Sequence, residues 1–164
     1  MNNNWCVTGF LTAIFCASFN LHAQPIGTKP ESFETLKAKA EAGDVIAQEN
    51  LGRYYSSIGA DQDAAESAKW WRKAAEQDEP KAQVHLGVCY DSGDGVPKDV
   101  AEALKWFRKA ALQNVPQAQY NLGIYYQTGQ GVAKDEVEAA NRYRKSGEQG
   151  YAEAQYNLGY CYEH

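Results

Sequence analysis

A six-residue block recurs along the chain and constrains its fold more than any other feature. The block reads Ala-Gln-x-x-Leu-Gly, and its leucine–glycine pairs stand at 51–52, 86–87, 122–123 and 158–159. The spacing between successive pairs is therefore 35, 36 and 36 residues. A fixed period of this length is typical of a helical solenoid, in which each unit buries its apolar face only by stacking on its neighbours.

Each period contains two helical patterns. In the first, Ala82, Leu86 and Tyr90 are spaced four apart and therefore form one stripe on a helix. Gly87 lies beside that stripe, and a glycine inside a helix is costly unless backbones approach closely there. The second pattern is clearest over residues 101–111, and we interpret its aromatic residues as core.

The segments between these patterns contain the residues that begin and end helices. Four residues before each repeat alanine stands a residue that tolerates the left-handed conformation: Gly43, Asp78, Asn114 and Gly150. Pro80 and Pro116 are placed where a helix begins. Three aspartates are predicted to cap the second helices: Asp63, Asp99 and Asp135.

The pattern of Ala, Leu-Gly, Tyr, Gly-x-Gly-Val, Asp, Ala, Trp-Phe and Lys-Ala-Ala resembles the Sel-one-like repeat, a relative of the tetratricopeptide repeat. The resemblance covers about residues 45–164 and implies an all-α fold, a right-handed α/α superhelical solenoid of antiparallel helices. We expect about eight helices in a repeat domain over residues 31–164. Its predicted repeats span 45–79, 80–115 and 116–151, with half-repeats at 31–44 and 152–164.

The N-terminal segment differs from the rest of the chain. Residues 1–23 carry no charged side chain and end in Ala23, as a cleaved signal peptide would. Residues 24–30 are then a flexible linker, and the mature protein is expected to be secreted or periplasmic, with no membrane contact after cleavage. The alternative is an uncleaved membrane anchor.

Several kinds of site are disfavoured by composition and spacing. A net charge of −5 without a basic stripe argues against nucleic acid. Cys89 and Cys161 occupy equivalent helix positions two repeats apart, about 20 Å at the usual helix separation, so they cannot form an intramolecular disulfide. The mature histidines, His85 and His164, are too few for a zinc site. We predict no catalytic residues, no metal and no cofactor.

A stripe beside the core stripe of each first helix is the candidate binding surface. By the tetratricopeptide analogy it lines a concave groove. It contains aromatic and aliphatic anchors, polar residues that set orientation, and two valines. In that order they are Tyr120, Ile124, Tyr156 and Tyr160; Glu49, Arg53 and Lys81; and Val84 and Val88. The alternative is that Tyr120 and Ile124 merely pack against the neighbouring repeat.

Three functions are compatible with these features. The first, which we favour, is an exported non-enzymatic adaptor that binds a peptide or protein segment in the groove. The second is a hydrolase of cell-wall or β-lactam substrates, as attributed to cysteine-rich exported relatives; the missing cysteine pairs and the absence of a nucleophile–base grouping count against it. The third is a structural module that self-associates through its C-terminal helix, where Tyr156 and Tyr160 replace a polar outer face.

Overall fold

The computed structural model describes residues 32–58 and 61–163. Within these ranges it contains eight α-helices and no strand, which confirms the predicted all-α class. The helices are α1 (Phe33–Glu41), α2 (Val45–Ile58), α3 (Asp61–Glu76), α4 (Pro80–Ser92), α5 (Val100–Leu112), α6 (Pro116–Thr128), α7 (Glu136–Gly147) and α8 (Ala152–Glu163). The predicted signal peptide and linker lie outside the described residues.

Each helix packs on the helices that precede and follow it in the chain, as in a solenoid. We call α2, α4, α6 and α8 the first helices, and α1, α3, α5 and α7 the second helices. The core is a series of four small clusters between neighbouring helices, rather than one central core. Stability in such a fold is the sum of contacts between neighbours.

An aromatic ring lies on the glycine of each complete helix pair. An ideal Cβ on Gly52, Gly87 or Gly123 would come within 2.6, 2.7 or 2.5 Å of a ring atom. The rings belong, in the same order, to Trp71, Phe107 and Tyr143, which are buried. The predicted close approach is therefore present, but it is a side-chain ring rather than a second backbone that requires the glycine.

A glutamine of each first helix satisfies a carbonyl at the end of the preceding second helix. Gln48, Gln83, Gln119 and Gln155 donate through Nε2 to the carbonyl oxygens of Ala40, Ala75, Ala111 and Gly147, at 3.0, 3.4, 2.7 and 2.8 Å. Each of these carbonyls also accepts a backbone N–H of the turn that follows, so the glutamine adds a second hydrogen bond, which joins two repeats.

The turns follow the predicted conformations. Gly43, Asp78, Asn114 and Gly150 have φ values of 99°, 62°, 59° and 85°, which lie in the left-handed region. Asp99 accepts hydrogen bonds from the first amides of α5, and Asp135 accepts one from an amide of α7. The prediction for Asp63 was wrong: α3 begins at Asp61, so Asp63 lies inside the helix. The sequence of the first repeat has no counterpart of the Gly-x-Gly-Val segment that precedes Asp99 and Asp135, and α3 accordingly starts earlier.

We expect an alanine substitution to have opposite effects at two equivalent glycines. Gly123→Ala would place a methyl group against the Tyr143 ring and should destabilise the protein by about 1–3 kcal/mol. An added Cβ on Gly159 meets nothing within 4 Å, so Gly159→Ala should stabilise α8 by up to about 1 kcal/mol through helix propensity. Thermal unfolding of the two variants and the parent protein measures both effects.

Equal destabilisation by the two substitutions would show that the ring contact does not explain the repeated glycine. A change in helix content at low temperature, measured by circular dichroism, would show that a variant alters folding beyond this contact.

Candidate functional site

The predicted stripe separates into two sets of positions that differ in burial. The first set, three residues into each stripe, is covered at least partly by neighbouring helices on α2, α4 and α6, whereas its member on α8, Tyr156, is 78% exposed. Val84 is 8% exposed and packs with Phe107 and Leu122. Glu49 is equally buried and forms an ion pair with Arg53. Val84 is therefore a core residue, which corrects the expectation that it lines an open groove: the helices that complete its repeat and begin the next one cover it.

Tyr120 occupies the equivalent position on α6 and is half-buried. Its ring centroid lies 5.8 Å from that of Tyr143 on α7 and 5.2 Å from that of Tyr151 at the start of α8. Ile124 is also partly buried against this cluster. Tyr120 therefore packs against the neighbouring repeat, as the alternative interpretation proposes.

The second set forms a row that the helix packing leaves open, which we call the first-helix face. Its residues are spaced i, i+4 and i+7 on each first helix, so they lie on one side of it. The members are Ile46, Asn50 and Arg53; Lys81, His85 and Val88; Gln117, Asn121 and Ile124; and Glu153, Asn157 and Tyr160. Every member is exposed or half-buried.

Three apolar members of this face are strongly exposed. Ile46 is 69% exposed, Val88 is 47% exposed and Tyr160 is 51% exposed. Single exposed apolar residues are common on protein surfaces, but these three lie in one row, Ile46 at its first position on α2 and Val88 and Tyr160 at its third position on α4 and α8. The structure thus brings Arg53, Lys81, Val88, Ile124 and Tyr160 of the predicted site to one face. It separates Glu49, Val84, Tyr120 and the exposed Tyr156 from them.

A row of amide side chains on this face was absent from the predicted site. Asn50, Asn121 and Asn157 share one helix position, and His85 replaces the asparagine on α4. All three asparagines are half-buried. A carboxamide donates and accepts hydrogen bonds, as a peptide backbone does. The recurrence of one polar residue at one position was the signal that could have identified this row.

His85 is held against the aromatic core. Its imidazole stacks on the Trp71 indole, with ring centroids 4.2 Å apart and planes at 16°. The indole covers one face of the imidazole, although the residue as a whole is exposed. This desolvation, together with the nearby positive charge of Arg53, lowers the pKa of His85 below its usual 6.5. The ring is therefore neutral at pH 7 and presents hydrogen-bonding nitrogens rather than a charge.

The charged side chains make the two ends of the first-helix face differ in charge. Arg53 and Lys81 lie on α2 and α4, whereas Glu153 lies on α8. Arg53 shares its charge with the buried Glu49, so Lys81 is the more available cation. The face is consequently basic towards the N-terminal repeats and acidic at the last helix.

The described residues were considered as metal ligands and as nucleophiles. No cluster of three or more histidine, cysteine, aspartate or glutamate side chains suited to a metal lies among them. Burial raises the pKa of Cys89 to about 11, so its thiol is protonated at neutral pH. Cys161 is also a free thiol. No helix in the described part of the chain combines the length and apolarity needed to cross a bilayer.

The repeat sequence matches an established family model. The model of the Sel1 repeat matches residues 45–79, 80–115, 116–151 and 152–164. The chain is a Sel1 repeat protein. Proteins built from Sel1 repeats are generally non-enzymatic scaffolds that mediate protein–protein interaction. A search of curated proteins gave no match.

Solved structures with the same repeat are similar to this one. A protective antigen of uropathogenic Escherichia coli, which has an SLR fold, aligns with a TM-score of 0.76 and 41% identity over 80% of this chain and 28% of the antigen. A Sel1 repeat protein from Oxalobacter formigenes aligns with a TM-score of 0.67 and 39% identity over 72% of this chain and 49% of that chain. This Sel1 repeat chain thus spans less than half the length of either relative.

A third solved structure shares the fold. Cysteine rich protein B of Helicobacter pylori aligns with a TM-score of 0.59 and 24% identity over 79% of this chain and 100% of that chain. At this identity the similarity supports the solenoid architecture alone.

We expect acid to destabilise the protein partly through His85. A lowered pKa in the fold means that the neutral imidazole contributes stability above the unfolded value of about 6.5, and that this contribution is lost as the pH falls through the folded value. Chemical unfolding of the parent protein and His85→Asn at pH 7.5 and pH 5 should show a smaller acid-induced loss in the variant. An NMR titration midpoint for His85 at or above 6.5 would contradict this assignment.

Proposed function

We propose that this Sel1 repeat protein is an exported adaptor that binds an extended peptide or protein segment along its first-helix face. The observation that carries the proposal is the set of exposed apolar side chains at Ile46, Val88 and Tyr160. Packing between repeats covers the adjacent positions, such as Val84, but leaves this row open. Apolar residues that remain accessible beside polar ones are typical of protein-binding surfaces.

The composition of the face favours a segment bound through both backbone and side chains. Asn50 and Asn121 supply amide groups for backbone N–H and C=O groups, whereas the Asn157 side chain is hydrogen-bonded to Tyr143. The neutral imidazole of His85 offers the same kind of contact on α4. Between these amides, Val88 and Ile124 supply apolar contacts for alternate side chains of the ligand.

The dimensions of the face set the length of the ligand. Packed helices lie about 10 Å apart, so the three steps from α2 to α8 span about 30 Å. An extended chain advances about 3.3 Å per residue, and about nine residues therefore cross the face. The position of Lys81 favours an acidic residue at one end of the segment, and that of Glu153 favours a basic residue at the other.

We also propose that the chain acts without catalysis. Cys89 is buried and protonated, and His85 is stacked on Trp71, so neither is arranged as a nucleophile or a general base. The hydrolase alternative receives no support from the described residues.

Export is proposed on the N-terminal sequence. Residues 1–23 carry no charge and precede a linker with two prolines, Pro25 and Pro30. If the segment is a cleaved signal, N-terminal sequencing of the protein recovered from the native envelope or medium should begin at Gln24. A mature chain that begins at Met1 and remains with the membrane would support the retained anchor instead.

Two valine substitutions test the binding face with the same chemical change. Val88 lies on the first-helix face, whereas Val137 is 74% exposed on the second helix α7. A displayed library of nine-residue peptides is selected on the full-length protein, and the affinities of the selected peptides are measured by fluorescence anisotropy. Val88→Ser should weaken binding about tenfold, the expected loss when one partly buried apolar contact of about 1.4 kcal/mol is removed.

Val137→Ser is the matched control and should bind as the parent protein does. Because both valines are exposed, neither change should alter thermal unfolding by more than about 0.5 kcal/mol. Equal binding by the Val88 variant and the parent, or equal losses in the two variants, would contradict the proposal.

A further inference from the structure

We propose a second docking surface on α3 and α5, for an acidic helix of a partner protein. The surface consists of four lysines and the two tryptophans beneath them, and we call it the lysine face. Its members are Lys69, Trp70 and Lys73 on α3, and Lys105, Trp106 and Lys109 on α5. It lies on the second helices, apart from the first-helix face, so a failure of either proposal leaves the other intact.

Each tryptophan packs into the preceding second helix. Trp106 on α5 is 6% exposed and belongs to the same core cluster as Ala68 of α3. Trp70 on α3 is 3% exposed and belongs to the same core cluster as Leu36 of α1. The two rings therefore lie at successive seams between second helices. Because packed helices lie about 10 Å apart, the two seams are also about 10 Å apart.

Two lysine ammonium groups lie over each ring. On α3 the two Nζ atoms are 5.8 and 4.2 Å from the ring centroid of Trp70, and on α5 they are 5.6 and 4.7 Å from that of Trp106. The face of an indole attracts a cation at this distance. Each ring thus holds two positive charges in place at a seam before any ligand binds.

One lysine of each pair is available for a ligand carboxylate. The first lysine of each pair donates to a glutamate three residues earlier, at 2.8 Å on both helices. The second lysine is Lys73 on α3 and Lys109 on α5. Neither forms an ion pair with a carboxylate in the described part of the chain. These two ammonium groups are therefore the charges that a docked carboxylate would meet.

The fold brings together charges that are far apart in the sequence. Lys73 and Lys109 are 36 residues apart, so no basic run is visible in the chain, but the repeat period stacks them. Both helices lie inside the described stack, since the second helix α1 precedes α3 and the second helix α7 follows α5. On α7 the tryptophan position holds Arg142, which donates to Glu138 and Gln119. The lysine face accordingly ends at α5.

A helix fits this surface better than an extended segment does. The backbone groups of α3 and α5 are bonded within the helices, so an extended ligand would find no backbone partners there. A helical ligand satisfies its own backbone and contributes only side chains. Carboxylates seven residues apart lie on one side of a helix and about 10.5 Å apart, which matches the separation of the seams. We therefore expect acidic residues at positions i and i+7 of the ligand helix.

The charges around the lysines disfavour nucleic acid as the ligand. Glu66 and Glu102 lie one turn before the lysines, and the net charge of the chain is −5. A polyanion with closely spaced phosphates would meet these carboxylates as well as the lysines. A protein helix can place its few carboxylates at the lysines and neutral or basic residues elsewhere.

The probe is a labelled alanine- and glutamine-based peptide of about 16 residues with two glutamates seven residues apart. A crosslink on the opposite side of the peptide keeps it helical and reduces the ordering cost of binding. The control peptide has the same composition, but its glutamates are five residues apart and therefore point to different sides of the helix. Each peptide is titrated with the full-length protein at low ionic strength, where surface charges are least screened, and fluorescence anisotropy is followed.

Saturable binding of the first peptide is expected. Lys73→Gln combined with Lys109→Gln should weaken it about fivefold, because two charge pairs are lost while most of each side chain remains over its ring. Lys98→Gln combined with Lys134→Gln is the matched control: it makes the same change in net charge at exposed turn positions and should bind as the parent does. Lys73→Arg combined with Lys109→Arg should retain binding, since arginine keeps the charge and stacks on the indole.

Four outcomes would overturn the proposal. They are the absence of saturable binding to the parent, equal binding by the Lys73/Lys109 glutamine variant and the parent, equal losses in the two glutamine variants, and equal binding of the two peptides. The last comparison uses the parent protein alone, so it holds whatever the stability of the variants. A single-stranded oligonucleotide that binds more tightly than the peptide, and that the Lys73/Lys109 glutamine variant releases, would assign the lysine face to nucleic acid and reject the acidic helix.

Discussion

The repeat geometry depends on an aromatic ring that lies directly on a helix glycine. Any side chain at Gly52, Gly87 or Gly123 would overlap the ring atoms of Trp71, Phe107 or Tyr143, so the two helices of a pair can approach this closely only when the glycine is present. The cost of glycine inside a helix is offset by burial of a large apolar surface. Because the contact repeats every 35 or 36 residues, the same helix separation recurs along the stack, and the buried glutamines complete each helix end in the same register.

This packing decides which side chains are available for function. On a first helix, the residue at the position of Val84 points towards neighbouring helices and becomes core as soon as the stack continues. The residues at the positions of Lys81, His85 and Val88 are exposed or half-buried on all four first helices. The same contact also explains the end of the described stack, where Gly159 has no ring above it and Tyr156 is exposed. One interaction thus decides which side chains of a first helix are buried and which stay accessible.

Much of the fold could be predicted from the sequence because it is encoded locally. The repeat period, the left-handed turns at Asp78 and Asn114, and the caps Asp99 and Asp135 each depend on a few adjacent residues. The predictions were wrong where burial or a helix boundary depends on residues farther away in the sequence. Helical spacing placed Val84 and Val88 on one stripe, but only the position of the next helices shows that one is covered and the other open. Alignment with Asp99 and Asp135 predicts a cap at Asp63, but the first repeat lacks their Gly-x-Gly-Val segment and its helix α3 begins at Asp61.

We propose that the open positions of the first helices form the surface that binds an extended segment. Mapping amide chemical shifts of the isotope-labelled protein, with and without a peptide selected on the full-length chain, tests it most directly. We expect the perturbed amides to concentrate around residues 46–53, 81–88, 117–124 and 153–160 and largely to spare the exposed sides of α3, α5 and α7. Perturbations centred on those second helices, or confined to the end of α8, would contradict it.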